Sequence, residues 1–126
     1  MPTNGAYSAF DLECGRKAIH YVQTNYKYNI SPSDLAEKVN INKKKLQLLF
    51  QLLTGFTVHD YQMNLRIEQV KLELSDSSNP IQKIARVHGF RSGTHFSRTF
   101  KKRTGMTPRQ YRDMLIPESV LQIAGP

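Results

Sequence analysis

Apolar residues in this chain recur at three- and four-residue spacing along almost its whole length and do not alternate over any useful stretch, so the pattern predicts helices and no credible strand. Residues 1–7 are a polar lead-in. Ser8, with Asp11 three positions on, can cap a helix to about Tyr26 whose apolar stripe is Leu12, Ala18, Ile19, Val22 and Tyr26; Gly15 weakens its middle. After the turn KYNISPS, Ser33 can cap a short helix over Asp34–Val39 with Leu35, Ala36 and Val39 inward. Asn40 ends it, Ile41 plugs the corner, and Asn42 caps a helix from Lys43 to about Leu53. Thr57 can cap a long helix to about Ser75, with Tyr61, Leu65, Val70 and Leu74 inward, stopped by the breaker DSSNP. Ile81, Ile84 and Ala85 mark the next helix. Gly89 can take the positive φ that ends it, Phe90 can plug the turn, and Ser92 can cap the helix that follows, anchored by Phe96 and Phe100. Pro108 starts a last short helix carrying Tyr111 and Met114.

The stretch NKKKLQLLFQLLTG from Asn42 lies over SGTHFSRTFKKRTG from Ser92. Leu46 meets Phe96, Phe50 meets Phe100, and both end in Thr-Gly. Before the turn Leu35-Ala36 meets Ile84-Ala85 and Ile41 meets Phe90, the second copy carrying one extra residue in its turn. An internal repeat of this kind implies two helix-turn-helix units. The expected architecture is all-α, about seven helices, with a first helix-turn-helix subdomain over 8–55, a linker helix over 57–75, a second subdomain over 80–115 and a C-terminal tail over 116–126. At ~1.5 Å per residue the linker is a rod of roughly 28 Å, near the spacing of about 34 Å between successive major-groove turns.

Charge gives this architecture a partner. Lys and Arg number 18 against 10 Asp and Glu, a net charge of +8, which favours a polyanion. Nine of those cations fall between Lys83 and Arg112, opposed only by Asp113 just beyond that span. In the helix after Ser92 the phenylalanines take one side, while Thr94, Arg98 and Lys101 take the other, as a major-groove reading helix requires. Lys43, Lys44 and Lys45 open the first copy's second helix, an arrangement the helix dipole disfavours unless a phosphate lies opposite. Arg98 can pair bidentately with guanine; Gln47 can pair with adenine or hold a phosphate.

The motif GF.S...F.R.FKK..G.TP..YR, from Gly89 through Arg112, resembles the C-terminal signature of AraC/XylS-type transcription regulators, and LA....N...L...F...TG resembles that family's more variable first helix-turn-helix. Arg66 stands where the family usually has Arg. The resemblance spans roughly residues 18–115. It implies a bipartite, sequence-specific DNA-binding transcription regulator, usually an activator that touches RNA polymerase or its σ factor. A non-specific, architectural DNA-binding protein is the alternative. Carried over position by position, it assigns DNA contact to Lys43, Lys44, Lys45, Gln47, Leu48 and Gln51 in the first unit. In the second it assigns Gly93, Thr94, His95, Arg98 and Lys101, with Arg91, Ser92 and Lys102 beside them. Four departures stand out, one of them Val70 in place of a usual Ala. Leu48 replaces a common Arg, so with Leu52 it reads thymine methyls, reads little, or serves a protein partner. Glu73 replaces a usual Leu, and Gly93 weakens the start of the second reading helix. Family members often carry an effector domain; here it is absent or lies on a missing segment.

Other classes find little support. Cys14 is alone, and His20, His59, His88 and His95 form no ligand-spaced pair, so no metal or cofactor is expected. His88 reads as a turn residue beside Gly89, and His95 as a groove or phosphate contact. No nucleotide loop, nucleophile elbow or zinc-protease motif is present, and an enzyme is not expected. No apolar run suits a membrane span, so the expected location is the cytoplasm, at the nucleoid.

Overall fold

The computed structural model describes residues 7–115; the expected tail over 116–126 lies outside them. Among the described residues there are seven helices and no strand: α1 (Ala9–Asn25), α2 (Pro32–Lys38), α3 (Lys43–Thr54), α4 (Val58–Glu73), α5 (Ile81–Val87), α6 (Gly93–Thr104) and α7 (Pro108–Leu115). The chain divides between Leu65 and Arg66 into two compact units, so α4 gives its first half to one and its second half to the other.

In the first unit Ala18 and Val22 of α1, Leu35 and Ala36 of α2, Leu46 and Phe50 of α3, and Val58 of α4 form one buried cluster. Tyr61 meets Phe50 edge-on at 5.3 Å. The Gln62 amide donates to the carbonyls of Tyr26 and Tyr28, tying the turn after α1 to α4. Ser8 caps α1 through a reciprocal box with Asp11. Gly15, a weakness on helix propensity alone, earns its place tertiarily. A Cβ there would sit 2.8 Å from Leu53 Cδ1 and 3.7 Å from Leu49 Cβ, so its absence lets α1 and α3 approach closely. One cap differs from expectation. Ser31, not Ser33, accepts the Asp34 N–H at 3.0 Å, because Pro32 between them has no N–H to offer and suits the first helical position.

The second unit is built on rings. Phe90, Phe96, Phe100 and Tyr111 follow one another at centroid distances of 5.1, 5.8 and 5.5 Å, and Ile67, Val70, Leu74, Ile84 and Ala85 are buried in the same unit. Buried Arg66 lies over the Phe90 ring at 5.6 Å. Its burial, with the charge of Arg91 nearby, pulls the guanidinium below its usual pKa.

Candidate nucleic-acid interface

The sequence repeat persists at the level of single hydrogen bonds. The α2 and α5 helices each have seven residues, and α3 and α6 each have twelve. In the first turn Asn40 takes φ +61° and the Ile41 N–H reaches the Ala36 carbonyl at 3.1 Å. In the second Gly89 takes φ +104° and the Phe90 N–H reaches Ala85 at 3.0 Å. Asn42 caps α3 by accepting the Lys45 N–H at 2.7 Å, as Ser92 caps α6 by accepting the His95 N–H at 3.1 Å. At the far ends Gly55 and Gly105 adopt φ +81° and +82°. There Thr54 and Thr104 donate back to the carbonyls of Phe50 and Phe100 at 2.7 and 2.8 Å. Both glycines occupy a left-handed conformation that costs other residues about 1–2 kcal/mol, which is why the Thr-Gly pair recurs.

Each scaffold buries one side of its second helix and turns the other to solvent. Leu46, Leu49 and Phe50 are buried in α3; Lys43, Lys44, Gln47, Leu48 and Gln51 are exposed. Phe96 and Phe100 are buried in α6; Arg91, Ser92, Gly93, Thr94, His95, Arg98, Lys101 and Lys102 are exposed on it or at its entrance. The side chains of Lys44, Gln47, Gln51 and Arg98 enter no hydrogen bond or ion pair among the described residues. Neither α3 nor α6 has an acidic residue in its first turn, so each amino-terminal dipole is left for an outside anion.

Lys45 stands apart from that set. It is half-buried, and its ammonium lies 3.3 Å from the Asp11 carboxylate. The Ser8 backbone N–H and then Lys45 hold Asp11 below the ordinary aspartate range. The free cations at the head of α3 are therefore Lys43 and Lys44. His95 lies near the Phe90 ring, centroids 5.9 Å apart. At Gly93 a Cβ would fall 2.8 Å from the Gln82 side-chain oxygen, so the missing side chain makes room for a neighbour on α5.

Two features escaped the sequence. Arg112, one of the nine cations in the basic stretch, does not belong to the reading face. Its guanidinium donates to the backbone carbonyls of Leu74 (2.9 Å), Asp76 (3.0 Å) and Asn79 (2.5 Å), closing the connection between α4 and α5. His88 does sit in the turn, but it is buried and its ring nitrogen bonds the Glu73 carboxylate. The unusual acid on α4 thus has a partner, and the two residues explain each other. Neither pairing carries a local sequence signal.

Two copies of one helix-turn-helix, each presenting a basic or amide-bearing face on its second helix, define a double helix-turn-helix DNA-binding class. A family profile described as a helix-turn-helix domain matches residues 35–114. The melibiose operon regulatory protein of Escherichia coli K12 is 36% identical over 94 residues, 75% of this chain and 31% of that protein. RafR, the raffinose operon transcriptional regulatory protein of Pediococcus pentosaceus, is 33% identical over 95 residues, again 75% of this chain and 34% of its own length. A solved transcriptional regulator from Chromobacterium violaceum, of the AraC-type DNA-binding domain-containing proteins, superposes with a TM-score of 0.73 at 28% identity, covering 86% of this chain and 96% of that one. The chain belongs to the AraC-type helix-turn-helix family. It spans about a third of the length of these two curated relatives.

Proposed function

We propose that this chain is the DNA-reading part of a sequence-specific transcription activator, with α3 and α6 entering successive major-groove segments of one duplex. The observation that carries the reading is the outward face of α6. On a scaffold held by two buried phenylalanines it presents Thr94, Arg98 and Lys101, with Arg98 unengaged among the described residues. A guanidinium kept free on a reading helix suits the O6 and N7 of guanine, while Lys101 and Lys102 suit phosphate. Lys43 and Lys44 would play the phosphate role at the head of α3, where an anion also satisfies the helix dipole. The named relatives regulate operons, which supports regulation as the purpose of binding, and contact with RNA polymerase or its σ factor is the natural route to activation. This is a binding module rather than an enzyme, and it needs no cofactor. Among the described residues no helix is long and apolar enough to cross a membrane, in keeping with work at the nucleoid in the cytoplasm.

Selection from a randomised duplex library at near-physiological salt tests the proposal. The expected product is a motif with two blocks about one helical turn apart. Equal affinity for unrelated duplexes, with the same steep salt dependence for all, would overturn it. On the selected duplex Arg98→Ala should lose about 1–3 kcal/mol of binding free energy and relax preference at one base pair. Titration against the selected duplex and its single-position variants reads both effects. An Arg98→Ala protein that ranks those duplexes as the parent does would remove Arg98 from base contact.

A further inference from the structure

The two reading helices share a scaffold but differ at the centre of the outward face. Overlaying α3 on α6 by Leu46 on Phe96 and Phe50 on Phe100 puts Leu48 where α6 carries Arg98, with Gln51 on Lys101 and Lys44 on Thr94. Leu48 is 51% exposed. It adds nothing to the core, which Leu46, Leu49 and Phe50 complete on the opposite side.

An exposed leucine has two kinds of occupant to choose between, an apolar protein surface or an apolar group within a polar ligand. The neighbours decide. Leu48 is bordered along its stripe by Lys44, Gln47 and Gln51, all exposed and all without a protein partner among the described residues, and one turn on by exposed Leu52, so any partner laid over the leucines also covers these polar groups. An apolar protein surface would strip water from these polar groups and give nothing back. A duplex offers them phosphates and base edges, and it also carries one apolar group on the major-groove edge of a base pair, the C5 methyl of thymine. Glutamine, in turn, matches adenine through N6 and N7.

We infer that α3 reads a block containing an A·T pair, with Leu48 packed on a thymine methyl and Gln47 or Gln51 paired with adenine. The two halves of the site are therefore unlike in chemistry: guanine opposite Arg98, thymine opposite Leu48. The inference rests on the DNA-reading function proposed above and assigns its base specificity.

The test uses the duplex recovered by selection, remade with uracil replacing each thymine in turn, which removes the methyl and leaves the pairing groups. The parent protein should lose about fourfold in affinity at one position of the α3 block, roughly the worth of one methyl group taken from water. Leu48→Ala, on an exposed site that should not disturb folding, should bind the thymine duplex at the lower level and be indifferent to uracil at that position. Leu48→Arg, which gives α3 the side chain of α6, should shift the selected base there to guanine. A flat uracil scan, or a Leu48→Ala protein still penalised at the same thymine, overturns the inference while the selected motif keeps the function standing. So does a motif with no thymine in the α3 block, or with a single block. Absence of any enrichment removes the function and the inference together.

Discussion

Phe100→Ala is expected to destabilise the second unit by about 3–5 kcal/mol, the usual cost of removing a buried aromatic ring and leaving its cavity. Phe100 is fully buried and meets Phe96 and Tyr111 edge-on at 5.8 and 5.5 Å, so the deletion breaks the ring series at an inner member. A unit of this size buries a modest core, and domains of its class hold only about 5–15 kcal/mol in total. The loss is thus a large share of what keeps α6 folded. Denaturant unfolding followed by circular dichroism measures it. Because the chain has two compact units, the unfolding curve of the variant should separate into an early step and a later one near the parent's midpoint, rather than shift as one transition. A cost below about 1 kcal/mol, well short of a cavity's worth, would show that the ring series is not the core of that unit. At sub-denaturing temperature the same variant should lose selective DNA binding, since Arg98 is positioned only as well as Phe96 and Phe100 hold α6.

What could be read in the sequence was whatever repeats locally. Helix periodicity, the Asn42 and Ser92 caps, the paired Thr-Gly ends and the buried phenylalanines all lie within one or two turns of the residues that explain them. They stand in the structure at the same places in both units. Ser31 and Ser33 flank one proline, and periodicity alone does not choose between two equally good caps; the missing N–H of Pro32 does. The remaining features need partners far along the chain. Gly15 is explained by Leu49 and Leu53, Lys45 by Asp11, and His88 by Glu73. Each looked ordinary or weak in isolation. The candidate interface was legible for the same local reason as the fold, because an outward stripe is the complement of a buried one. Its one misleading element was total charge, which treats every cation in a basic stretch as available.

Arg112 is the clearest case of a cation that is not available, and it supports the second large effect. Arg112→Ala should cost about 2–4 kcal/mol in the stability of the second unit, the worth of several charge-assisted bonds reduced for their partial exposure. The guanidinium reaches three carbonyls spread over residues 74–79, one at the end of α4 and two in the turn that follows. The ammonium of Lys is a single point and cannot reach three separate acceptors from one plane, so Arg112→Lys should recover little of the loss. The two kinds of cation then separate by measurement. Arg112→Ala should lower the denaturation midpoint strongly, yet leave the affinity and base preference of the folded fraction near the parent's at low temperature. Arg98→Ala should do the reverse. If Arg112→Ala left stability intact and weakened binding to all duplexes alike, with a shallower salt dependence, the residue would be a phosphate contact. The basic stretch would then be electrostatic throughout. The hydrogen bonds to Leu74, Asp76 and Asn79 predict instead that this arginine is spent on holding the α4–α5 connection, and that the charge meeting DNA is correspondingly smaller than the sequence total.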